Sequence, residues 1–261
     1  MNAWASRRKL FIFVGTVLAL LLLVGAPIFF FFEREPSCQD GVRNGDEAGV
    51  DCGGSCTRLC VAEALPLILK GDPRIVSLTD ASYAVVVETQ NPNPSASVYR
   101  GGYTLTIYGT DGLSNPVEVT GSTFVPRGSV FALYFGPYPY SGQRPSRATF
   151  VWHEDGFDWE KEVAVLPVLA TENTVFNEAG DDPRLSATLV NQSSSSVSNI
   201  ELVALIYGED GNITSASKTF VPRLDARGRT ELVFTWPAAF AATSTAAEIL
   251  PRILPDPSFI R

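Results

Sequence analysis

Hydrophobic and polar positions follow three different patterns along the chain. The first is an uninterrupted apolar run, Leu10–Phe32, which contains no charged residue. At a rise of about 1.5 Å per residue, a helix of this length spans roughly 34 Å, whereas the hydrocarbon core of a bilayer is about 30 Å thick. The run therefore predicts a transmembrane helix, because a helix satisfies its own backbone hydrogen bonds in lipid.

The charged residues on either side of this run predict its orientation. The basic cluster 7–9 precedes it, and the mixed segment 33–35 follows it. The positive-inside rule places residues 1–9 in the cytoplasm and the chain from residue 33 onward outside the membrane. The alternative is a cleaved signal peptide, whose apolar region usually covers about 7–15 residues and ends in a small-x-small site. This run is longer and ends in four phenylalanines, so we expect an uncleaved anchor in the cell membrane.

The second pattern is an alternation with a period of two, which fills the chain after residue 62. Tyr103, Leu105 and Ile107 alternate with Thr104 and Thr106, as in a half-buried β-strand. The predicted strands are 74–78, 83–89, 103–108, 130–135 and 148–153 in the first half, then 185–190, 200–207, 218–221, 230–235 and a last one near 249–254. The chain is therefore predicted to be all-β after its single helix.

The two halves of this region repeat each other at an offset close to 100 residues. Thr106–Gly112 (TIYGTDG) recurs as Leu205–Gly211 (LIYGEDG), and Asn91 and Asn191 each end an apolar run. A repeat of this length fits two tandem immunoglobulin-like β-sandwiches, each with about seven strands. We expect a short, stiff join near Val163–Val165, because no Gly/Ser linker occurs there.

The third pattern is a polar segment between the apolar run and the first strand. It contains all four cysteines: Cys38, Cys52, Cys56 and Cys60. An even, local cluster on the exported side predicts two disulfides, and the sequence leaves three connectivities open. A four-thiolate zinc site is the alternative, but the C-x13-C-x3-C-x3-C spacing lacks the paired C-x2-C knuckles of common zinc folds. We call residues 33–62 the collar.

Carboxylates and amides in the collar are candidate calcium ligands. Asp40, Asn44, Asp46 and Asp51 fall at positions 1, 5, 7 and 12 of a loop resembling an EF-hand. However, Val42 occupies position 3, and no helices flank the loop. Solvated turn residues are therefore the default interpretation, and no other cofactor is predicted.

The collar resembles a C-x-D-G-x-x-N-G-x-E-x-G-x-D-C-G-G-x-C-x-x-C motif of exported microbial surface proteins. The matching residues are Cys38, Asp40, Gly41, Asn44, Gly45, Asp51, Cys52, Gly53, Gly54 and Cys56. The last spacing is x3 rather than x2. The resemblance covers about a tenth of the chain and implies export and surface display, with no particular activity.

A second resemblance concerns the first sandwich. Val85–Val87 followed by Asn91-Pro92-Asn93-Pro94 is similar to the start of late-embryogenesis-abundant type 2 domains and related FxLYD-type domains, and Phe131–Tyr134 (FALY) is similar to the motif naming the latter. The second half departs from both motifs. The resemblance implies an Ig-like binding or accessory domain, seldom an enzyme.

The net charge of the chain indicates which kinds of partner it is expected to bind. The 20 Lys and Arg residues face 28 Asp and Glu residues, and three of the cations but none of the acids precede the collar. The chain beyond residue 32 therefore carries a net charge of −11, which argues against nucleic acid as a partner. We expect a protein or cell-surface partner instead.

Few residues are candidates for catalysis, modification or binding. His153 is the only histidine, and the acids after it on a strand point to different faces, which predicts a solvated strand end. Asn191 begins an N-glycosylation sequon. Four aromatic residues beside prolines form a candidate contact patch, although packing against the core is the preferred interpretation: Tyr134, Phe135, Tyr138 and Tyr140.

The predicted organisation has six parts: cytoplasmic residues 1–9, anchor 10–32, collar 33–62, Ig-like domains 63–163 and 164–254, and tail 255–261. The predicted function is a non-catalytic binding, adhesion or assembly role at the cell surface. The alternative is an accessory subunit of a membrane or envelope complex, in which the helix itself binds the partner. No catalytic motif supports an enzyme.

Overall fold

The computed structural model describes residues 3–32, 36–110, 116–140, 144–162, 166–177, 182–240 and 244–256. The chain divides into two compact units, Met1–Cys56 and Thr57–Arg261. The predicted join at 163–165, the flanking residues 33–35 and the end of the tail lie outside the described residues. Within them, one α-helix is followed by a chain that is mostly β-strand.

The first unit contains helix α1, Ala3–Phe32, which includes the whole predicted apolar run. Its segment Arg7–Ile28 has a mean hydropathy of 2.6, and none of that segment is buried within the protein. An apolar surface of this size is not stable in water, so it requires lipid or a protein partner. The helix has the length and composition of a membrane anchor or a signal segment.

The second unit consists of fourteen strands in the described ranges. They are β1 Ile68–Leu69, β2 Arg74–Thr79, β3 Ser82–Gln90, β4 Ala96–Gly109, β5 Val117–Val125, β6 Val130–Pro139, β7 Pro145–Trp152, β8 Trp159–Lys161, β9 Leu169–Asn177, β10 Arg184–Asn191, β11 Val197–Gly208, β12 Ile213–Leu224, β13 Arg229–Thr235 and β14 Ser244–Ile253. All their pairings are antiparallel.

Strands β1–β8 form the first pair of sheets. In one sheet, β6 pairs along the full length of β3, so β1 and β2 share the other edge of β3. In the other sheet, β5 pairs with one edge of β4, while β7 and β8 share the opposite edge. The edge strand β1–β2 is interrupted by Lys70–Pro73, because Pro73 lacks a backbone N–H and Gly71 has a φ of 118°.

Strands β9–β14 repeat this pairing. One sheet has the order β13-β10-β9 and the other has the order β12-β11-β14. Strand β9 therefore takes the place of β1 and β2, and β14 takes the place of β7 and β8. The first set has eight strands and the second has six, whereas the sequence predicted about seven in each.

Three hydrophobic cores hold the four sheets together. The first lies between the two sheets of β1–β8, and the second lies between the two sheets of β9–β14. The third joins the two sets, and its buried members are Val76, Ala84, Val86, Ala132, Val203, Leu205, Ala216 and Leu250. We call this third core the inter-sandwich interface. The four sheets are thus stacked face to face, and the two sandwiches share a buried surface.

Strands β3 and β11 lie at the centre of this stack and are buried on both faces. On β3, Val85 and Val87 face the first core, while Ala84 and Val86 face the inter-sandwich interface. This explains the continuous apolar run from Tyr83 to Val87, because a strand covered on both sides has no polar face.

The strands predicted from sequence are all observed, with most ends extended by a few residues. Strand β4 shows the predicted alternation: Leu105 and Ile107 are buried, whereas Thr104 and Thr106 are only partly buried. Four observed strands were not predicted: the short strands β1 and β8, and β5 and β9, in which only Val125 is buried. The coarse fold, an all-β chain of packed sheets after one helix, is confirmed.

Candidate functional site

The collar cysteines form disulfides. All four are disulfide-bonded, and Cys38 pairs with Cys56 across 18 positions of sequence, with Cα atoms 5.6 Å apart. The disulfide prediction is confirmed, and the zinc alternative is wrong, because disulfide sulfurs are not thiolate ligands. Disulfides are typical of an oxidising, extracytoplasmic compartment.

Glu47 organises the loop that the Cys38–Cys56 bond closes. It is 8% exposed, and its Oε2 accepts hydrogen bonds from the backbone amides of Asn44 and Asp51, both at 3.3 Å. Its Oε1 lies 3.5 Å from the Sγ of Cys56. This residue was not among the candidate site residues predicted from sequence, although the collar motif carries a glutamate at this position.

Three of the candidate calcium ligands hold the collar backbone. Asp40 accepts hydrogen bonds from the amide of Val42 at 2.9 Å and from Nδ2 of Asn44 at 2.8 Å. Both carboxylate oxygens of Asp51 lie 3.0 Å from the amide of Gly41. These are the bonds expected of turn residues, in which short polar side chains satisfy nearby backbone groups.

The fourth candidate, Asp46, lies apart from the others and accepts a hydrogen bond from the hydroxyl of Ser55 at 2.8 Å. The carboxylates of the three aspartates do not gather within 4.8 Å of one another. Among the described residues, the only metal-ligating side chains that do so are Glu47 and the two sulfurs of the Cys38–Cys56 bond. Calcium binding here stays a prediction.

Three of the four candidate aromatic residues pack at the edge of the first core. The ring of Phe135 lies 5.3 Å from that of Tyr103. The rings of Tyr138 and Tyr140 lie 5.7 and 5.3 Å from that of Tyr83. Burial raises the pKa of Tyr138, and the neighbouring Tyr103 and Tyr83 raise it further. These residues support the core of the first sandwich.

Tyr134 points to the opposite face of the same strand, β6. It packs against the inter-sandwich interface, and the ammonium group of Lys218 lies 5.7 Å from the centre of its ring. Burial raises the pKa of its hydroxyl. The structure therefore divides the four aromatic residues between two cores instead of bringing them together as one patch.

His153 is exposed at the end of β7, as the sequence predicted. Its Nε2 lies 3.0 Å from the hydroxyl of Thr104. The neighbouring carboxylate of Glu154 is engaged elsewhere, because its Oε2 accepts the backbone amide of Leu67 at 3.1 Å. The histidine and the acids near it do not converge on one point.

The Asn-Pro-Asn motif has a structural role in the first sandwich. The Nδ2 of Asn91 donates to the carbonyls of Ala96 and Pro126, both at 2.9 Å. Asn93 forms two hydrogen bonds with the backbone of Leu65, accepting from its amide at 2.8 Å and donating to its carbonyl at 2.7 Å. The motif thus ties the incoming chain to the turn after β3.

Asn191 has the corresponding position in the second sandwich. It is fully buried, and its Nδ2 donates to the carbonyls of Ser195 and Asp225 at 2.8 and 2.9 Å. The sequon that begins at Asn191 is therefore inaccessible in the folded protein.

A buried arginine connects the two sandwiches. Arg252, on β14, is 6% exposed and donates from Nη1 to the hydroxyl of Thr123 at 3.0 Å and the carbonyl of Phe124 at 3.2 Å, both on β5. Its Nη2 binds Glu201 on β11 at 2.5 Å. The contact between the sandwiches therefore includes two hydrogen bonds from a buried guanidinium as well as apolar packing, whereas the Arg252–Glu201 ion pair lies within the second sandwich.

Comparison with known proteins provides no functional assignment. No protein-family model matches the chain. No curated protein matches it either.

Proposed function

We propose that this chain is a single-pass membrane protein whose β-sandwich region acts outside the cytoplasm as a non-catalytic binding, adhesion or assembly module. The observation that carries the proposal is the exposed apolar surface of α1, next in sequence to a disulfide-bonded segment. Lipid accounts for the first feature and an oxidising compartment for the second. The basic cluster 7–9 supports a cytoplasmic N-terminus.

The proposed fold of each sandwich is immunoglobulin-like. In support, each sandwich consists of two sheets, and in each sheet a central strand is paired along both of its edges. The central strands are β3 and β4 in the first sandwich, and β10 and β11 in the second. The resemblance of Asn91–Pro94 and Phe131–Tyr134 to LEA type 2 and FxLYD domains points to the same class. Such domains bind partners through their surfaces, and the net charge of −11 favours a protein or cell-surface partner over nucleic acid.

The proposal is tested by exchanging the helix. The full chain and a chain in which Leu10–Phe32 is replaced by an unrelated N-in anchor are expressed in cells and cross-linked, and the cross-linked peptides are identified by mass spectrometry. We expect the same partner to be linked to residues 57–261 in both chains. A partner that is lost when the helix is exchanged would favour the accessory-subunit alternative. Finding no partner with either chain would contradict a binding role.

A further inference from the structure

Edge strands of three different sheets meet along one side of the second unit. Within the described residues, β2 forms a backbone strand pairing only with β3, β7 only with β4, and β12 only with β11. Strand β2 also packs against both β7 and β12. An edge strand carries a row of backbone N–H and C=O groups that can pair with another chain.

Two adjoining cavities follow the edge of β2. The larger, of about 790 Å³, is lined by Ile75, residues 77–81, Arg144, residues 213–215 and residues 236–240. The smaller, of about 470 Å³, is lined by residues 72–75, 146–149 and Ile213. The two cavities are adjacent because Ile75 and Ile213 line both, and we call the pair the β2 groove.

The wall of the larger cavity contains a polar group that lacks a partner. Trp236 is 3% exposed, and its indole Nε1 has no hydrogen-bond acceptor among the described residues. The ring of Phe240 lies 5.3 Å from the Trp236 ring and lines the same cavity. A buried donor without an acceptor is uncommon and unfavourable in folded proteins. An occupant that offers an oxygen atom beside an apolar group would satisfy both side chains.

We propose that the β2 groove binds an extended peptide segment of a partner protein, which adds to the edge of β2 as a strand. The main-chain groups of the peptide pair with those of β2, and an apolar side chain packs against Trp236 and Phe240 while a peptide carbonyl accepts the indole N–H. The inference rests on the proposed binding role and gives that role a location.

The charges in the groove indicate which peptides it accepts. Three arginines line it, Arg74, Arg144 and Arg147, against two aspartates, Asp72 and Asp80. The groove is therefore slightly positive in a region whose net charge is −11. Neutral or acidic segments are expected to bind, and basic ones to be disfavoured.

The test uses the full chain in detergent and a phage-displayed library of random decapeptides as the probe. Selected peptides are synthesised, and their affinities are measured for the wild type and for four variants. Trp236→Phe removes the indole N–H but keeps an aromatic ring, and Ser77→Trp places a bulky side chain at an exposed position in the groove. Each has a matched control: Trp152→Phe, a buried tryptophan that also lacks an acceptor for Nε1 among the described residues but lies outside the groove, and Thr120→Trp, exposed on β5.

We expect Trp236→Phe to weaken peptide binding about three- to tenfold, as loss of one hydrogen bond does. We expect Ser77→Trp to abolish binding, and both controls to bind as the wild type does. Hydrogen exchange at the amides of β2 should slow when the peptide is bound. The inference would be overturned if the selected peptides bound Trp236→Phe and Ser77→Trp as tightly as they bind the wild type. It would also be overturned if hydrogen exchange at the β2 amides did not change when the peptide was bound.

Two other outcomes would also overturn it. One is that the library selects no peptide. The other is that neutral oligosaccharides bind the wild type but not the Ser77→Trp variant, which would show that they occupy the groove instead. Failure here is distinguishable from failure of the proposed function, because a partner cross-linked to another face of residues 57–261 would retain the binding role and place it elsewhere.

Discussion

Asn91 and Asn191 make the same hydrogen bonds at the same place in the two sandwiches. In each, Oδ1 accepts the backbone amide two residues later, that of Asn93 or Ser193, at 2.9 Å. In each, Nδ2 donates to one carbonyl four or five residues later and to another about 35 residues later. Both residues are at most 1% exposed. One buried amide thus fixes the turn that leads from one sheet to the other in each sandwich.

Replacing either asparagine by alanine should destabilise the protein. Asn91→Ala and Asn191→Ala each remove a buried amide and leave buried or partly buried carbonyls without this donor, so we expect a loss of about 1–3 kcal/mol in the free energy of unfolding. Urea unfolding of the full chain in detergent measures this loss. The control is Gln192→Ala, at an exposed neighbouring position. If the asparagine variants unfold at the same urea concentration as this control, the structural role assigned to them is wrong.

Arg252→Met should destabilise the protein, because it removes a buried ion pair within the second sandwich and two hydrogen bonds to β5 of the first. The side chains of Arg252 and Glu201 are only 7% and 14% exposed, and removing one partner of a buried ion pair typically costs about 3–5 kcal/mol. The matched control is Arg223→Met, whose pair with Asp225 is mostly exposed and is worth about 0–1 kcal/mol. Calorimetric unfolding of both variants compares them. Equal effects would contradict the stabilising role assigned to the buried contacts of Arg252.

Glu88→Gln should stabilise the protein at neutral pH. Burial raises the pKa of Glu88, and the negative charge of Glu248 raises it further against the opposing effect of Lys70. A carboxyl group whose pKa is raised on folding stabilises the folded state below its ordinary pKa of 4.5, and that contribution is lost as the pH rises through the folded value.

The melting temperature of Glu88→Gln should therefore exceed that of the wild type at pH 7, and the difference should disappear below about pH 4. Thermal melts between these two pH values measure the change. A difference that is independent of pH would show that the titration of Glu88 is not its cause.

Most strands were predictable from local patterns. The alternation along β4 and the apolar runs along β3 and β11 follow directly from which faces of each strand are buried. Strands β5 and β9 were not predicted, since Val125 is the only fully buried residue in the two and neither segment shows a clear apolar face. Strands β1 and β8 were not predicted either, because two and three residues are too few to show an alternation. The continuous run Tyr83–Val87 predicted a strand, but burial of both its faces was not predicted. It did not identify the covering surface, which comes from β11, more than a hundred residues later.

The collar was predictable to a similar extent. Cysteine number and spacing predicted its disulfides, while the connectivity and the role of Glu47 depend on three-dimensional contacts that spacing does not encode. The β2 groove was not predictable from sequence. Its walls come from residues 72–81, 144–149, 213–215 and 236–240, and no local pattern relates these segments to one another.

Protease accessibility in intact cells, combined with mass spectrometry of the cysteines, tests the central claim most directly. The account predicts that added protease cleaves residues 57–261 and leaves the N-terminal residues protected. It also predicts that reduction adds about four hydrogen masses to the unreduced protein, corresponding to two disulfides. Protection of the β-sandwich region together with four free thiols would contradict the account, because the chain would then face the reducing side of the membrane.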